Sequence, residues 1–203
     1  MMINKVFSEK TADPDPFLQF NKWYNEHLDA GMAIPDSVSL GTASVEGRVS
    51  VRTVLLKGYD ENGFVFFTNY NSRKGIQLSE NPSAALLFYW GESGRQVRIE
   101  GTIEKVTEKE SVSYFSTRPR ESQISAWASE QSSVIPDRLY LEERHEFFKR
   151  KFEKKEVEKP PHWGGFRLIP DSIEFWQEGV FRLHDRLVYT RTKNGWVMNR
   201  LAP

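Results

Sequence analysis

The apolar positions of this chain change period three times. Phe17, Phe20, Tyr24 and Leu28 recur every three or four residues, which predicts a helix. Asp15 offers its cap, Pro16 its first position and Gly31 its stop. From Ser37 to Val106 the pattern turns to that of strands: Val38–Ser44, Val49–Lys57, Phe64–Asn69, Ala84–Trp90 and Gln96–Val106 are rich in β-branched and aromatic residues. Turn signals at Glu46-Gly47, Glu61-Asn62-Gly63 and Glu92-Ser93-Gly94 separate most of them. Hairpins so closely spaced favour an antiparallel barrel over a parallel sheet. One short helix, from Ser72 to about Glu80, interrupts the run.

Helical patterning returns over Glu108–Thr117, Glu121–Glu130 and Pro136–Phe152, the last strongly charged and expected to face solvent. A charged, proline-bearing connector spans Lys154–His162. Trp163–Pro170, Ser172–Gln177, Leu187–Arg191 and Trp196–Arg200 then read as returning strands, with Lys193-Asn194-Gly195 as a hairpin turn. The predicted fold is mainly β with a helical insert over about residues 108–152. The insert is too small for a core of its own, so the expectation is a loose arm over 1–14 and one domain over 15–203.

Composition narrows the partners. Lys and Arg total 28, as do Asp and Glu, so the formal net charge is zero. That argues against a nucleic-acid coat or a membrane-surface binder, and local basic clusters in a neutral chain fit a small anionic ligand better. The absence of cysteine excludes disulfides, thiolate metal sites and thiol nucleophiles, and agrees with a reducing cytosol. The polar first residues lack the apolar core of a signal peptide, and no apolar run approaches the roughly 18 residues of a membrane span. A cytoplasmic protein is expected. His27, His145, His162 and His184 show no metal-ligand spacing, and phosphate-binding loops, dinucleotide fingerprints and nucleophile elbows are absent. Any chemistry must come largely from a bound organic cofactor.

Several clusters could receive anions. Ser72-Arg73-Lys74 opens the interrupting helix, where two cations oppose the helix dipole unless a phosphate meets them; plain surface residues are the alternative. Arg52-Thr53-Val54-Leu55-Leu56-Lys57 sets two cations on a strand apolar enough to be buried, with no acidic residue close by before Asp60. Their opposite parity sends them to different faces, or else Lys57 lies where the strand frays; snorkelling at a sheet edge is the alternative. Tyr114 and Arg118 share a helical face, and Ser122 falls in the first turn of the next helix. These make a second oxyanion cradle, or a helix surface whose arginine pairs with Glu110 or Glu121. Gln131-Ser132-Ser133 supplies neutral hydrogen-bonding groups, and Trp176 and Gln177 either flank a planar ligand or belong to the core. If residues 182–186 are extended, Arg182, His184 and Arg186 share one face; they then meet an anionic or electron-rich ligand or line a solvated edge.

Taken together these strings resemble the pyridoxamine 5′-phosphate oxidase family. They are joined by Phe67-Thr68-Asn69, Arg95-Gln96-Val97, Arg118-Pro119-Arg120-Glu121-Ser122-Gln123, Trp163-Gly164-Gly165-Phe166-Arg167, Glu174-Phe175-Trp176-Gln177, Arg182-Leu183-His184-Asp185-Arg186 and Arg200-Leu201-Ala202-Pro203, in the family's order from about Asp13 onward. The resemblance implies an FMN-binding split β-barrel that works as a homodimer, with FMN held at the subunit interface. It implies oxidation of pyridoxamine or pyridoxine 5′-phosphate to pyridoxal 5′-phosphate, by hydride transfer from C4′ to flavin N5. Dioxygen is the final acceptor, hydrogen peroxide is formed, and the amine also releases ammonia. By motif, Arg52, Thr53, Val54, Leu55, Leu56, Lys57, Phe67, Thr68, Arg73, Lys74, Gln96, Gln131, Ser132, Trp176 and Arg186 would hold FMN. Lys57, Tyr114, Arg118 and Ser122 would hold the substrate phosphate. Arg182, Leu183 and His184 would sit against the pyridine, Arg182 and His184 being the catalytic pair. Three features depart from the pattern: Phe67 stands where many relatives carry tyrosine, the N-terminal arm is short, and Val180-Phe181 is unusually apolar. Two other readings stay open, a sister flavin oxidase acting on a phenazine-type metabolite and a non-catalytic FMN-binding module.

Overall fold

The computed structural model describes residues 6–29, 31, 34 and 36–203. Helix α1 runs Pro16–Asp29. Asp15 caps it, Oδ1 accepting the Phe17 N–H at 2.7 Å, and Gly31 follows its end at a φ of 75°. Its inner face is Phe17, Phe20, Trp23 and Tyr24, while Leu28 lies partly exposed beyond the core. Of the stretch expected as a loose arm, residues 1–5 lie outside the described residues and the rest is anchored. Phe7 is buried against Trp23 at 4.7 Å, and the Asp13 carbonyl accepts the Tyr189 hydroxyl at 2.6 Å.

The strands are β1 (Ser37–Ala43), β2 (Val49–Leu55), β3 (Gly58–Asp60), β4 (Gly63–Asn69), β5 (Ser83–Trp90), β6 (Arg95–Lys105), β7 (Trp163–Gln177), β8 (Asp185–Thr192) and β9 (Gly195–Arg200). Between them lie helices α2 (Arg73–Glu80), α3 (Glu108–Thr117), α4 (Arg120–Ala128) and α5 (Arg138–Lys151). They form a nine-stranded sheet in the order β2-β1-β5-β6-β7-β4-β3, with β8 on β7 and β9 on β8. Every pairing is antiparallel.

Fifteen-residue β7 is the seam of the curl. One of its edges pairs β6, while the other pairs β4 through residues 163–168 and β8 through 172–177. Pro170-Asp171 had read as a break between two strands. The structure keeps one strand and absorbs the extra residue in a bulge facing Glu100 and Gly101. A Cβ at Gly101 would meet the Ile169 carbonyl oxygen at 2.0 Å, so only glycine admits this approach.

Inside the curl, Phe20, Phe64, Phe66, Phe88, Phe166, Phe175 and Tyr189 form an aromatic core. Phe20 meets Phe64 edge-on at 4.9 Å. Burial of each such side chain contributes about 1.5–3 kcal/mol. A separate cluster of Phe115, Ile124, Phe152, Val157 and Trp163, with Phe67 and Tyr114 against it, seats the inserted helices on β4 and β7.

Two sequence expectations are corrected here. Strand β2 is an edge strand, not a buried one: Val49 and Val51 are 79% and 71% exposed. Its apolar composition reflects a face left open, with only the Arg52 side half-covered. The extended reading of residues 182–186 also fails. Val180–Arg182 form a 3₁₀ turn with Phe181 and Arg182 at φ of 55° and 63°, and β8 begins only at Asp185. The alternation that would align Arg182, His184 and Arg186 on one strand face therefore does not exist. Left-handed backbone at two non-glycine residues costs about 1–2 kcal/mol each.

Candidate functional site

The end of β2 explains why Arg52 and Lys57 differ in parity. The Leu56 N–H still bonds the Asp36 carbonyl at 2.8 Å, but the Lys57 N–H bonds the Val65 carbonyl of β4 at 2.8 Å. Between them the chain crosses from one side of the barrel to the other, so the two cations serve different neighbourhoods. Lys57 also has a carboxylate partner that lay upstream, its ammonium pairing with Asp36.

Around Arg52, four elements converge. Its Nη1 donates to Thr42 Oγ1 at 2.6 Å and to the Leu40 carbonyl at 3.2 Å, and the Thr42 hydroxyl donates to Gln77 Oε1 at 2.6 Å. From α2, Lys74 Nζ donates to Gln131 Oε1 at 2.9 Å and Thr68 Oγ1 at 3.1 Å, so the loop after α4 closes over the helix start. Ser72 caps α2, accepting the Gly75 N–H at 3.3 Å. Among the described residues no carboxylate lies within 4 Å of the charged ends of Arg52, Arg73 or Lys74. Burial, with Arg52 adding repulsion, lowers the Lys74 pKa to about 8. Burial and then the Arg73 charge likewise lower that of Arg52. Three cations gathered without a counter-ion make a pocket that is complete only with an anion.

The second cluster lies on the other face of β4. Phe67 stacks on Tyr114 at 4.1 Å and on Trp163 at 5.3 Å. The Arg118 guanidinium sits 4.8 Å from the Trp163 ring centre. Its Nη1 is buried with no hydrogen-bond partner, and burial pushes its pKa down. The flanking ring attracts the charge but leaves that N–H unsatisfied. Half-buried Ser122 stands in the first turn of α4, whose N-cap position is Pro119. Neither Glu110 nor Glu121 takes Arg118: Glu110 pairs with Arg167 and Glu121 with His145.

A third group occupies the face of the sheet turned from the core. Gln96, Trp176 and Arg186 are direct cross-strand neighbours on β6, β7 and β8. The His184 ring lies 4.6 Å from that of Trp176, and its Nδ1 accepts the Gly179 N–H at 3.1 Å. That bond places the ring proton of neutral His184 on Nε2. A Cβ on Gly179 would strike the Leu183 carbonyl oxygen at 1.9 Å, so glycine permits the tight turn that presents Arg182, Leu183 and His184. Among the described residues no hydrogen bond or ion pair joins this group to Arg52, Lys74 or Arg118. Of the remaining motif residues, Thr53, Val54 and Leu55 continue β2, Leu56 is buried, and Ser132 follows Gln131 at a φ of 75°.

Sequence reasoning missed Asp36, Thr42, Gln77, Arg98 and Glu174. Thr42 is a polar residue at the buried parity of Val38 and Leu40, and Gln77 stands three positions from Lys74 on one helix. Both signals were present. Glu174, a lone carboxylate in Ile173-Glu174-Phe175-Trp176, was a third.

A curled antiparallel sheet with an anion-seeking pocket at its rim and helices over its flank defines a split-barrel protein that binds an anionic ligand. Comparison with known proteins makes the assignment specific. A family model described as pyridoxamine 5′-phosphate oxidase matches residues 25–146, and one described as the pyridoxine 5′-phosphate oxidase C-terminal dimerisation region matches 163–203. A Burkholderia multivorans protein named pyridoxine/pyridoxamine 5′-phosphate oxidase is 54% identical over 96% of this chain and 92% of its own length. Among solved structures, PhzG from Burkholderia lata 383, in complex with tetrahydrophenazine-1-carboxylic acid, superposes with a TM-score of 0.92 at 31% identity, covering 99% of each chain. A pyridoxamine 5′-phosphate oxidase-related, FMN-binding protein from Nostoc punctiforme shares the fold, with a TM-score of 0.73 at 15% identity over 94% of this chain and all of the other. The chain belongs to the pyridoxamine 5′-phosphate oxidase family.

Proposed function

We propose that this protein is an FMN-dependent oxidase that converts pyridoxamine 5′-phosphate and pyridoxine 5′-phosphate to pyridoxal 5′-phosphate, as a cytoplasmic homodimer serving vitamin B6 synthesis or salvage. The observation that carries the reading is the buried, unpartnered Nη1 of Arg118, in a cluster separate from the cations Arg52, Arg73 and Lys74. Two anion-seeking sites on opposite faces of β4 call for two anionic groups, and two phosphorylated ligands supply them.

Arg52, Arg73 and Lys74 would grip the FMN phosphate, with Thr68, Gln131 and Ser132 adding neutral donors. Gln96, Trp176 and Arg186 would complete the cofactor site from the outer face of the sheet. Their separation from Arg52 within one chain fits a site assembled by two subunits. The exposed Val49 and Val51 and the match to a dimerisation region support the same assembly. Bound FMN would supply the two-electron acceptor for the C4′ hydride, with dioxygen as its reoxidant and hydrogen peroxide as product. Tyr114, Arg118 and Ser122 would hold the substrate phosphate, joined by Lys57 once it leaves Asp36. A dianion gripped away from the reacting carbon gives binding energy with which to fix the near-attack geometry. Arg182 would orient the pyridine, and His184, protonated at Nε2, would donate a hydrogen bond to it.

The similarity to PhzG favours a second reading, oxidation of a reduced phenazine carboxylic acid. Anaerobic mixing of the yellow holoprotein with each substrate separates them. Bleaching by pyridoxamine 5′-phosphate but not by tetrahydrophenazine-1-carboxylic acid, the compound bound in PhzG, is expected. The reverse selectivity overturns the proposal, and flavin bleached by neither points to a binding module without turnover.

A further inference from the structure

Beside the row Gln96–Trp176–Arg186 lies a carboxylate with no role so far. Glu174 on β7 is 4% exposed, two residues before Trp176 and therefore on the same face. One oxygen accepts Arg98 Nη2 at 2.6 Å, and the other accepts Arg186 Nε at 2.8 Å. Arg186 is fixed a second time by Nη1, which donates to the Ala202 carbonyl at 2.7 Å. Its Nη2 makes no hydrogen bond to protein among the described residues.

A buried carboxylate with one arginine partner would cancel that arginine's charge. Here Glu174 is shared with Arg98, whose Nε also lies 3.7 Å from the half-exposed Glu100 carboxylate, and Arg186 is locked at two of its nitrogens with a third left open. That is the arrangement of a cation oriented before its ligand arrives. We propose that Glu174 is a positioning residue for the cofactor: with the Ala202 carbonyl it holds Arg186 ready to meet FMN, and Arg98 steadies the Glu174 carboxylate from the other side. The inference rests on the reading of Arg186 as an FMN residue.

The test is a double-mutant cycle on FMN affinity, read by quenching of flavin fluorescence on titration into flavin-free full-length protein. Glu174→Gln should raise the Kd about tenfold, by loosening one charge-assisted bond to Arg186. In an Arg186→Leu background the same change should alter Kd by less than about twofold, because the residue it acts through is gone. A merely structural role predicts that the tenfold loss persists in that background, and this outcome, or a folded Glu174→Gln protein with unchanged Kd, overturns the proposal. Should Glu174→Gln fail to fold, Glu174→Asp carries the same cycle, since its shorter arm cannot span both arginines. Wild-type protein that fails to bind FMN overturns the cofactor reading itself, and this inference with it.

Discussion

Two regions of the molecule use arginine in opposite ways. On the β8–β9 side two guanidiniums meet carboxylates: Arg186 meets Glu174, and Arg200 meets both Glu9 and Asp185. Those partners raise the pKa of each above its ordinary value. On the flank formed by α2 and the inserted helices, Arg52 and Arg118 are more deeply placed, lack carboxylates and have their pKa values lowered by burial. The Arg200 pairs hold β8, β9 and the N-terminal segment together, while the Glu174 pair aims Arg186. The unpaired cations cost stability in the ligand-free chain, and a fold retains such a cost where the missing counter-ion comes from outside.

The sharpest way to break this contrast is Arg118→Met. Loss of a charge-assisted bond to a substrate phosphate should lower kcat/KM for pyridoxamine 5′-phosphate by about 10- to 100-fold. The melting temperature of ligand-free protein should hold steady or rise, since a buried charge without a partner has been removed. Steady-state kinetics and calorimetry decide it: a lower melting temperature with unchanged kcat/KM would make Arg118 structural.

Lys74 offers a smaller effect with two signs. Its folded pKa, about 8, lies below the ordinary lysine value, so the buried charge burdens the ligand-free fold below pH 8. That burden lifts as pH rises from about 8 toward the usual lysine range near 10.4. FMN affinity should run the other way, since only the protonated amine attracts phosphate, and should weaken above pH 8 by at most about tenfold per pH unit. Lys74→Met should abolish both slopes. Fluorescence titrations from pH 7 to 10 in which wild type and variant run parallel would remove Lys74 from the anion pocket.

The paired side predicts the reverse pattern. Arg200→Ala frees Glu9, Asp185 and the Phe7 carbonyl, which the guanidinium holds at 2.8–3.0 Å. Because these contacts are largely exposed, melting should fall by only about 2–4 °C, with FMN affinity unchanged. A loss of FMN binding without a change in melting would show that this region, too, holds a charge for a ligand.

How much of this was legible in the sequence follows from the same physics. The strands that alternate strongly were readable, while β3, three residues long, is too short to carry a period. The 182–186 segment was misread because neither Phe181 nor Arg182 is a residue that announces left-handed backbone, and the turn is imposed by contacts around Gly179. Strand β2 was misread because apolar residues on an open face look like apolar residues in a core. The convergence of Lys74 with Thr68 and Gln131 followed from motifs, whereas Thr42 and Gln77 depend on where α2 settles against β1. Lys57 seemed to lack a counter-ion only because the search ran downstream, and Asp36 lies across the β1–β2 hairpin.

That last pair crosses the divide between the two regions and allows the finest test. Lys57 is paired like Arg200, yet its motif position assigns it to the substrate phosphate. If it must leave Asp36 to reach that phosphate, the pair is a competitor of substrate. Both side chains are about a quarter exposed, and such pairs contribute about 0–1 kcal/mol. Asp36→Asn should therefore lower KM by at most about fivefold and leave kcat unchanged. The backbone bond from Leu56 to the Asp36 carbonyl survives the substitution, so the end of β2 keeps its course. A KM that rises instead would mean that Asp36 holds Lys57 where the substrate needs it, and the pair would belong with Glu174 and Arg186 among the arrangements that aim a cation.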